Sequence, residues 1–132
     1  MTKLNLALAQ INTKLGDVDA NLEKHLNLIG DAVARGSNLI LFPELSLTGY
    51  TLQDITPTVA HTPTIDDPIF RPLLDASHKI DMVVGFVDED DRHRFYIADA
   101  YLSEGKVLHV HHKVYLPTYG LFDEGRFFAW GD

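Results

Sequence analysis

Asn38-Leu39-Ile40-Leu41-Phe42-Pro43-Glu44-Leu45-Ser46-Leu47-Thr48-Gly49-Tyr50 begins as a strand and ends as a turn. Its opening run is apolar and bounded by Gly36-Ser37 before and Pro43 behind, the pattern of a buried strand. Glu44 therefore stands one residue beyond a strand end, where the backbone leaves a sheet and a side chain can face the crevice at the carboxyl ends of the strands. A general base suits that place. So does a carboxylate that caps the following turn or pairs with a surface cation.

Upstream, residues 3–11 alternate Leu4, Leu6 and Leu8 with smaller or polar neighbours, which predicts a first strand. From Asp17, an N-cap residue by type, Val18, Leu22, Leu26, Ile29 and Val33 recur at helical spacing up to Arg35, and Gly36 fits the C′ position. Downstream, residues 45–67 carry Gly49, Pro57, Pro63 and several threonines without periodicity and read as an irregular excursion. A second helix is expected over 68–79, with Ile69, Leu73, Leu74 and Ala76 on its apolar side. The run 82–87 predicts a strand, and Asp88-Glu89-Asp90-Asp91 a solvated turn with no metal role. Residues 95–102 and 106–110 read as two strands joined through Ser103-Glu104-Gly105. The order strand, helix, strand, helix and three strands predicts an α/β fold with a mixed sheet and helices on one or both faces. No repeat or linker divides it, so residues 1–132 are read as one domain.

Composition narrows the function. The 132 residues are 45% hydrophobic, enough for a sizeable core, and carry 19 acidic against 11 basic side chains for a formal charge of -8. That field argues against nucleic acid and anionic lipid as partners. No apolar run approaches the roughly 20 residues of a membrane span, no cleavage-site pattern follows Met1, and the cytoplasm is the expected compartment. Cysteine is absent, which excludes disulfides, thiolate zinc sites and a cysteine nucleophile among these residues.

Few residues can carry chemistry. Lys113 follows the last strand and opens a stretch rich in aromatics, residues 113–132, where a lysine can act as an electrophile toward an anionic intermediate or lie along the surface. His109 and His111 would share one strand face while His112 points away, with no carboxylate expected in register, so no metal site is expected. His25, His61, His78 and His93 are scattered and carry no pattern. Asp123-Glu124-Gly125-Arg126 reads as an ion-pair turn. Gly105 and Gly120 stand singly, so no phosphate cradle and no cofactor is expected.

Three blocks taken together resemble the nitrilase superfamily of carbon-nitrogen hydrolases. The first is residues 5–10, ending Ala9-Gln10, with Gly16-Asp17 and Asn21-Leu22. The second is Leu41-Phe42-Pro43-Glu44-Leu45-Ser46-Leu47-Thr48-Gly49-Tyr50. The third is His112-Lys113-Val114-Tyr115-Leu116-Pro117, continuing through Phe122-Asp123-Glu124-Gly125-Arg126-Phe127-Phe128. The resemblance implies the N-terminal half of a four-layer α-β-β-α sandwich that cleaves amide or nitrile C-N bonds through a Glu-Lys-Cys triad. By position, Glu44 resembles the general base, Lys113 the oxyanion-stabilising cation, and Glu124 a second glutamate that positions lysine and substrate. The nucleophilic cysteine follows a later strand in the family, so the chain is expected to stop short of it.

The same resemblance implies a small-molecule amide or nitrile as partner, no cofactor, and a homo-oligomer at full length. Glu-Leu-Ser-Leu-Thr-Gly-Tyr and Leu-Pro-Thr-Tyr-Gly-Leu-Phe-Asp-Glu also resemble the glutaminase domains of glutamine-dependent NAD synthetases. One departure is Tyr96-Ile97-Ala98-Asp99-Ala100, where family members often carry asparagine and small residues after the tyrosine. The alternative from another class is a non-catalytic interaction module with a half-sandwich fold. As half of a sandwich, the isolated chain is expected to expose the sheet face and the aromatic segment 122–130 that the other half would cover, and so to be poorly soluble.

Overall fold

The computed structural model describes residues 3–50, 52–117 and 124–131. Elements follow in the order β1 (Leu6–Leu8), α1 (Val18–Ala34), β2 (Leu39–Leu41), a 3-10 helix (Gln53–Val59), α2 (Phe70–Ala76), β3 (Asp81–Glu89), β4 (Phe95–Ser103), β5 (Lys106–His112) and α3 (Glu124–Phe127). The five strands form one sheet in the order β1-β2-β3-β4-β5, parallel between β1, β2 and β3 and antiparallel from β3 to β5. This is the mixed α/β sheet expected of the sequence.

Local chemistry explains most boundaries. Asp17 caps α1 by accepting from the Ala20 amide at 3.0 Å. The helix ends in a Schellman motif: Gly36 at φ +76° donates to Val33 O, and the Ser37 amide donates to Ala32 O. Glu104 and Gly105, at φ +51° and +77°, make the two-residue turn between β4 and β5, the combination that matches strand twist.

Three expectations need correction. β1 covers three residues instead of 3–11, because among the described residues it pairs with β2 alone, which is itself three residues long, and pairing stops where the partner stops. The excursion after Leu45 contains the 3-10 helix. β3 runs on through Asp88 and Glu89, which pair with Tyr96 and Phe95, so the solvated turn starts only at Asp90. Asp88 stays in the ladder because His112 Nε2 meets its Oδ2 at 2.8 Å.

Register sorts the sheet faces. Met82, Val84 and Phe86 pair with Leu102, Ala100 and Ala98, and all six are buried on the side covered by α2, where the Phe70 ring meets Phe86 edge-on at 4.9 Å. Fully burying a side chain of that size stabilises by roughly 1.5–3 kcal/mol, so this layer is the core of the fold. The opposite face is only partly covered at its β1 edge, where Leu6 and Leu8 remain 46% and 73% exposed. The expected exposure of the whole aromatic segment 122–130 does not hold among its described residues. Phe128 is buried, because Ala129 N donates to Phe95 O and Gly131 N to Lys113 O, tying the segment to the sheet end. Trp130 is exposed.

Candidate active site

Glu44 and Lys113 meet. Lys113 Nζ lies 2.8 Å from Glu44 Oε1, with the two side chains 29% and 37% exposed, so the pair stands at an open rim and not in a closed pocket of the described residues. Each is positioned by its backbone. Lys113 N donates to Ile97 O on β4, Lys113 O accepts from Gly131 N, and the preceding His112 is stacked on Tyr96 and bonded to Asp88. Lys113 is thus delivered from the end of a pinned strand.

Glu44 is delivered by a crossing loop. Leu47 N donates to Gly85 O, and Gly85 N donates to Ser46 Oγ at 3.1 Å, which lays residues 43–47 across β3. A Cβ on Gly85 would lie 2.5 Å from Leu45 N and 2.6 Å from Pro43 O. Only glycine lets the loop come that close. Leu45 itself sits at φ +50°, a conformation that side-chain-bearing residues hold only where surrounding contacts over-determine it.

Those contacts come from α1. The expected apolar stripe Val18, Leu22, Leu26, Ile29, Val33 is rotated: the buried residues are Val18, Asn21, His25, Ile29 and Ala32. Asn21 Nδ2 donates to Leu47 O and Lys14 O, and its Oδ1 accepts from Lys14 N. His25, which the sequence left without a role, is fully buried with Nε2 2.8 Å from Ser46 Oγ. Burial pushes its pKa down to about 4, against the opposing bond to the Asn21 carbonyl. The signal available in the sequence was the spacing itself, since Val18, Asn21, His25, Ile29 and Ala32 also recur at helical intervals and include two polar members.

Asp99 is a second acidic group beside Glu44. It pairs across the sheet with Gly85 on one side and His111 on the other, so the three share a face. Burial first, and the charge of Glu44 second, raise its pKa, while His111 and Lys113 pull the other way. The sequence marked Asp99 only as a departure from the family pattern. It also missed the carboxylates in register with the histidines, Asp99 opposite His111 and Asp88 on His112. His109 and His111 do share one face with His112 on the other, and no group of three potential ligands is arranged for a metal among the described residues. His61 meets Asp67, which caps α2 through Ile69 N and Phe70 N, and His93 meets Glu89 at the surface. Glu124 is the first residue of α3, and its side chain and Asp123 lie outside what the structure describes.

The arrangement supplies a carboxylate and an ammonium in contact at the carboxyl ends of two strands. It can move a proton and stabilise an anion, and the sequence offers it no cysteine thiol as a nucleophile. The sequence matches the carbon-nitrogen hydrolase family over residues 5–130. It is 35% identical over 134 residues to the glutamine-dependent NAD(+) synthetase of Thermotoga maritima, covering 100% of this chain and 23% of that protein. The structure of glutamine-dependent NAD+ synthetase from Acinetobacter baumannii superposes with a TM-score of 0.84 at 32% identity, over 100% of this chain and 25% of that one. A mutant amidase from Nesterenkonia sp. AN1, which shows covalent addition of the acetamide moiety of fluoroacetamide at its active-site cysteine, superposes with a TM-score of 0.81 at 25% identity, over 98% of this chain and 48% of that one. The chain thus spans about a quarter of the length of the synthetases it matches.

Proposed function

This chain belongs to the carbon-nitrogen hydrolase family, and from that premise we propose that it supplies the glutamate and lysine of a site that hydrolyses the C-N bond of a small amide. The cysteine nucleophile comes from sequence outside these 132 residues. The observation that carries the reading is the 2.8 Å contact between Lys113 Nζ and Glu44 Oε1, two groups that the chain brings together from separate strands.

The chemistry follows from what each group can do. Glu44 takes the thiol proton, and the thiolate attacks the amide carbonyl carbon. The oxygen gains charge, and the Lys113 ammonium, a preformed cation at that point, stabilises it more in the transition state than in the ground state. Collapse breaks the C-N bond, the Glu44 carboxyl returns its proton to the departing nitrogen, and ammonia leaves a thioester behind. Glu44 then takes a proton from water, whose attack on the thioester releases the acid and restores the thiol. Glu124 is assigned the role of holding the lysine and substrate. No metal or cofactor enters any step.

Glutamine is the amide this reading favours, because the synthetases match the whole chain at 35% and 32% identity and the amidase at 25%. The test is ammonia release by the protein that continues this chain through its cysteine, with glutamine, acetamide and a small nitrile compared. Release from glutamine, with a thioester trapped on the cysteine in the mass spectrum, is expected. Release from acetamide or the nitrile with none from glutamine would overturn the substrate, and no release from any of them would favour the non-catalytic module.

A further inference from the structure

We propose that His25 is a positioning residue for Glu44, a buried imidazole that grips the loop carrying the carboxylate from both ends. The inference rests on Glu44 acting as the base. His25 touches the segment two residues before Glu44 and two residues after it: its ring stacks on Phe42 at 4.2 Å and 27°, and its Nε2 meets Ser46 Oγ at 2.8 Å.

The proton positions in this chain of contacts are determined by its ends. His25 Nδ1 lies 2.7 Å from the Asn21 carbonyl, which only accepts, so Nδ1 carries the proton and Nε2 offers a lone pair. Ser46 therefore donates its O-H to Nε2, and its oxygen is left to accept from Gly85 N at 3.1 Å. Each ring nitrogen of His25 thus has one direction, and the Ser46 hydroxyl donates to the nearer acceptor, Nε2 at 2.8 Å, in preference to Gly85 O at 3.5 Å. The row runs from α1, through the loop, to β3, and joins the two elements between which Glu44 must be held.

A purely apolar side chain would fill the same space in α1 without burying two ring nitrogens, which are costly to bury unless both are bonded. The bonds here are spent on the loop. Leu45, next to Glu44, has a positive φ that needs fixing on both sides. His25 with Phe42 fixes the entry, and His25 with Ser46 fixes the exit. Glu44 itself makes no part of this row, so the histidine acts on where the carboxylate lies and not on the reacting atoms.

The experiment uses the full-length protein that carries this chain. His25→Phe keeps an aromatic ring against Phe42 and loses the acceptor, and Ser46→Ala loses the hydroxyl. Each should lower kcat by about 10-fold or more with KM within about twofold, because misplacing a catalytic group acts on turnover. Combined, the two should cost clearly less than the product of the single losses, since they share the bond between Nε2 and Oγ. Folding is checked by thermal unfolding. A folded His25→Phe protein with kcat within about twofold of the parent overturns the inference, as do single losses that multiply in the double variant. Should His25→Phe fail to fold, Ser46→Ala decides alone by the same criterion. Glu44→Gln is measured beside them. If Glu44→Gln keeps full turnover, the base assignment fails and this inference with it; if it abolishes turnover while the other two do not, His25 alone is wrong.

Discussion

Lys113 Nζ reaches Glu44 Oε1 at 2.8 Å across two intervening strands. Neighbouring strands lie about 4.8 Å apart, so the ends of β2 and β5 are separated by roughly 14 Å of sheet. The lysine closes part of that gap with its own length. The loop at residues 43–47 closes the rest by crossing β3 over Gly85.

Gly85→Ala should therefore damage the site without touching a reacting group. Its Cβ meets backbone at Leu45 and Pro43, which cannot swing aside as a side-chain tip can. The loop must shift, and a displacement near 1 Å at a catalytic group costs about 10²-fold in rate. Kinetics of the full-length variant check this, with overpacking also expected to lower stability by about 1–3 kcal/mol.

Asp99→Asn should stabilise the chain at neutral pH. The folded state raises the Asp99 pKa, mainly by burial, so ionised Asp99 works against folding and its contribution improves only as pH falls through the folded value. Asparagine removes that penalty. Thermal melts of parent and variant should differ in favour of the variant at pH 7 and converge near pH 4, and equal differences at both would contradict the assignment.

Acid should loosen α1 from the Glu44 loop. The His25 pKa falls to about 4 in the folded chain from an ordinary 6.5, because burial disfavours the cation. A histidine lowered in this way contributes its full stability above about pH 6.5, and loses it progressively as pH falls to about 4. The loss over that window is about 3 kcal/mol. Denaturant melts across pH 4–7 should show this step in the parent and lack it in a folded His25→Phe protein.

The elements were legible wherever one local rule governed them. Asp17 and Gly36 marked the ends of α1 by capping chemistry, and the strand-turn-strand from β4 to β5 was written in Ser103-Glu104-Gly105. The length of β1 was not, because an edge strand ends where its neighbour ends. Asp88 and Glu89 read as solvent by charge and sit in a ladder because His112 and the hairpin register hold them. Glu44 and Lys113 stood out by place and family pattern, but their contact depends on Gly85, and a lone glycine in a strand names no partner. His25 was invisible to a search for apolar periodicity, since a buried polar residue is explained only by the partners that tertiary structure brings.

The 132-residue chain by itself should release no ammonia from any amide or nitrile, however well it folds. The general base and the oxyanion cation leave the substrate without an attacking group, since the sequence contains no cysteine. Ammonia production above buffer by the isolated chain, abolished by Glu44→Ala, would show that a different nucleophile is at work.

The central claim is that Glu44 and Lys113 act on the reaction and not merely on each other. Steady-state kinetics of Glu44→Gln and Lys113→Met in the full-length protein, with folding checked by circular dichroism, test it most directly. Glutamine keeps the shape of Glu44 without its proton acceptance, so kcat should fall by about 10²- to 10⁴-fold. Methionine keeps the stem of Lys113 without its charge, and kcat should fall by about 10²- to 10³-fold with substrate binding little changed. Folded variants that retain more than about a tenth of parental turnover would contradict the claim and leave the 2.8 Å contact as an ordinary ion pair.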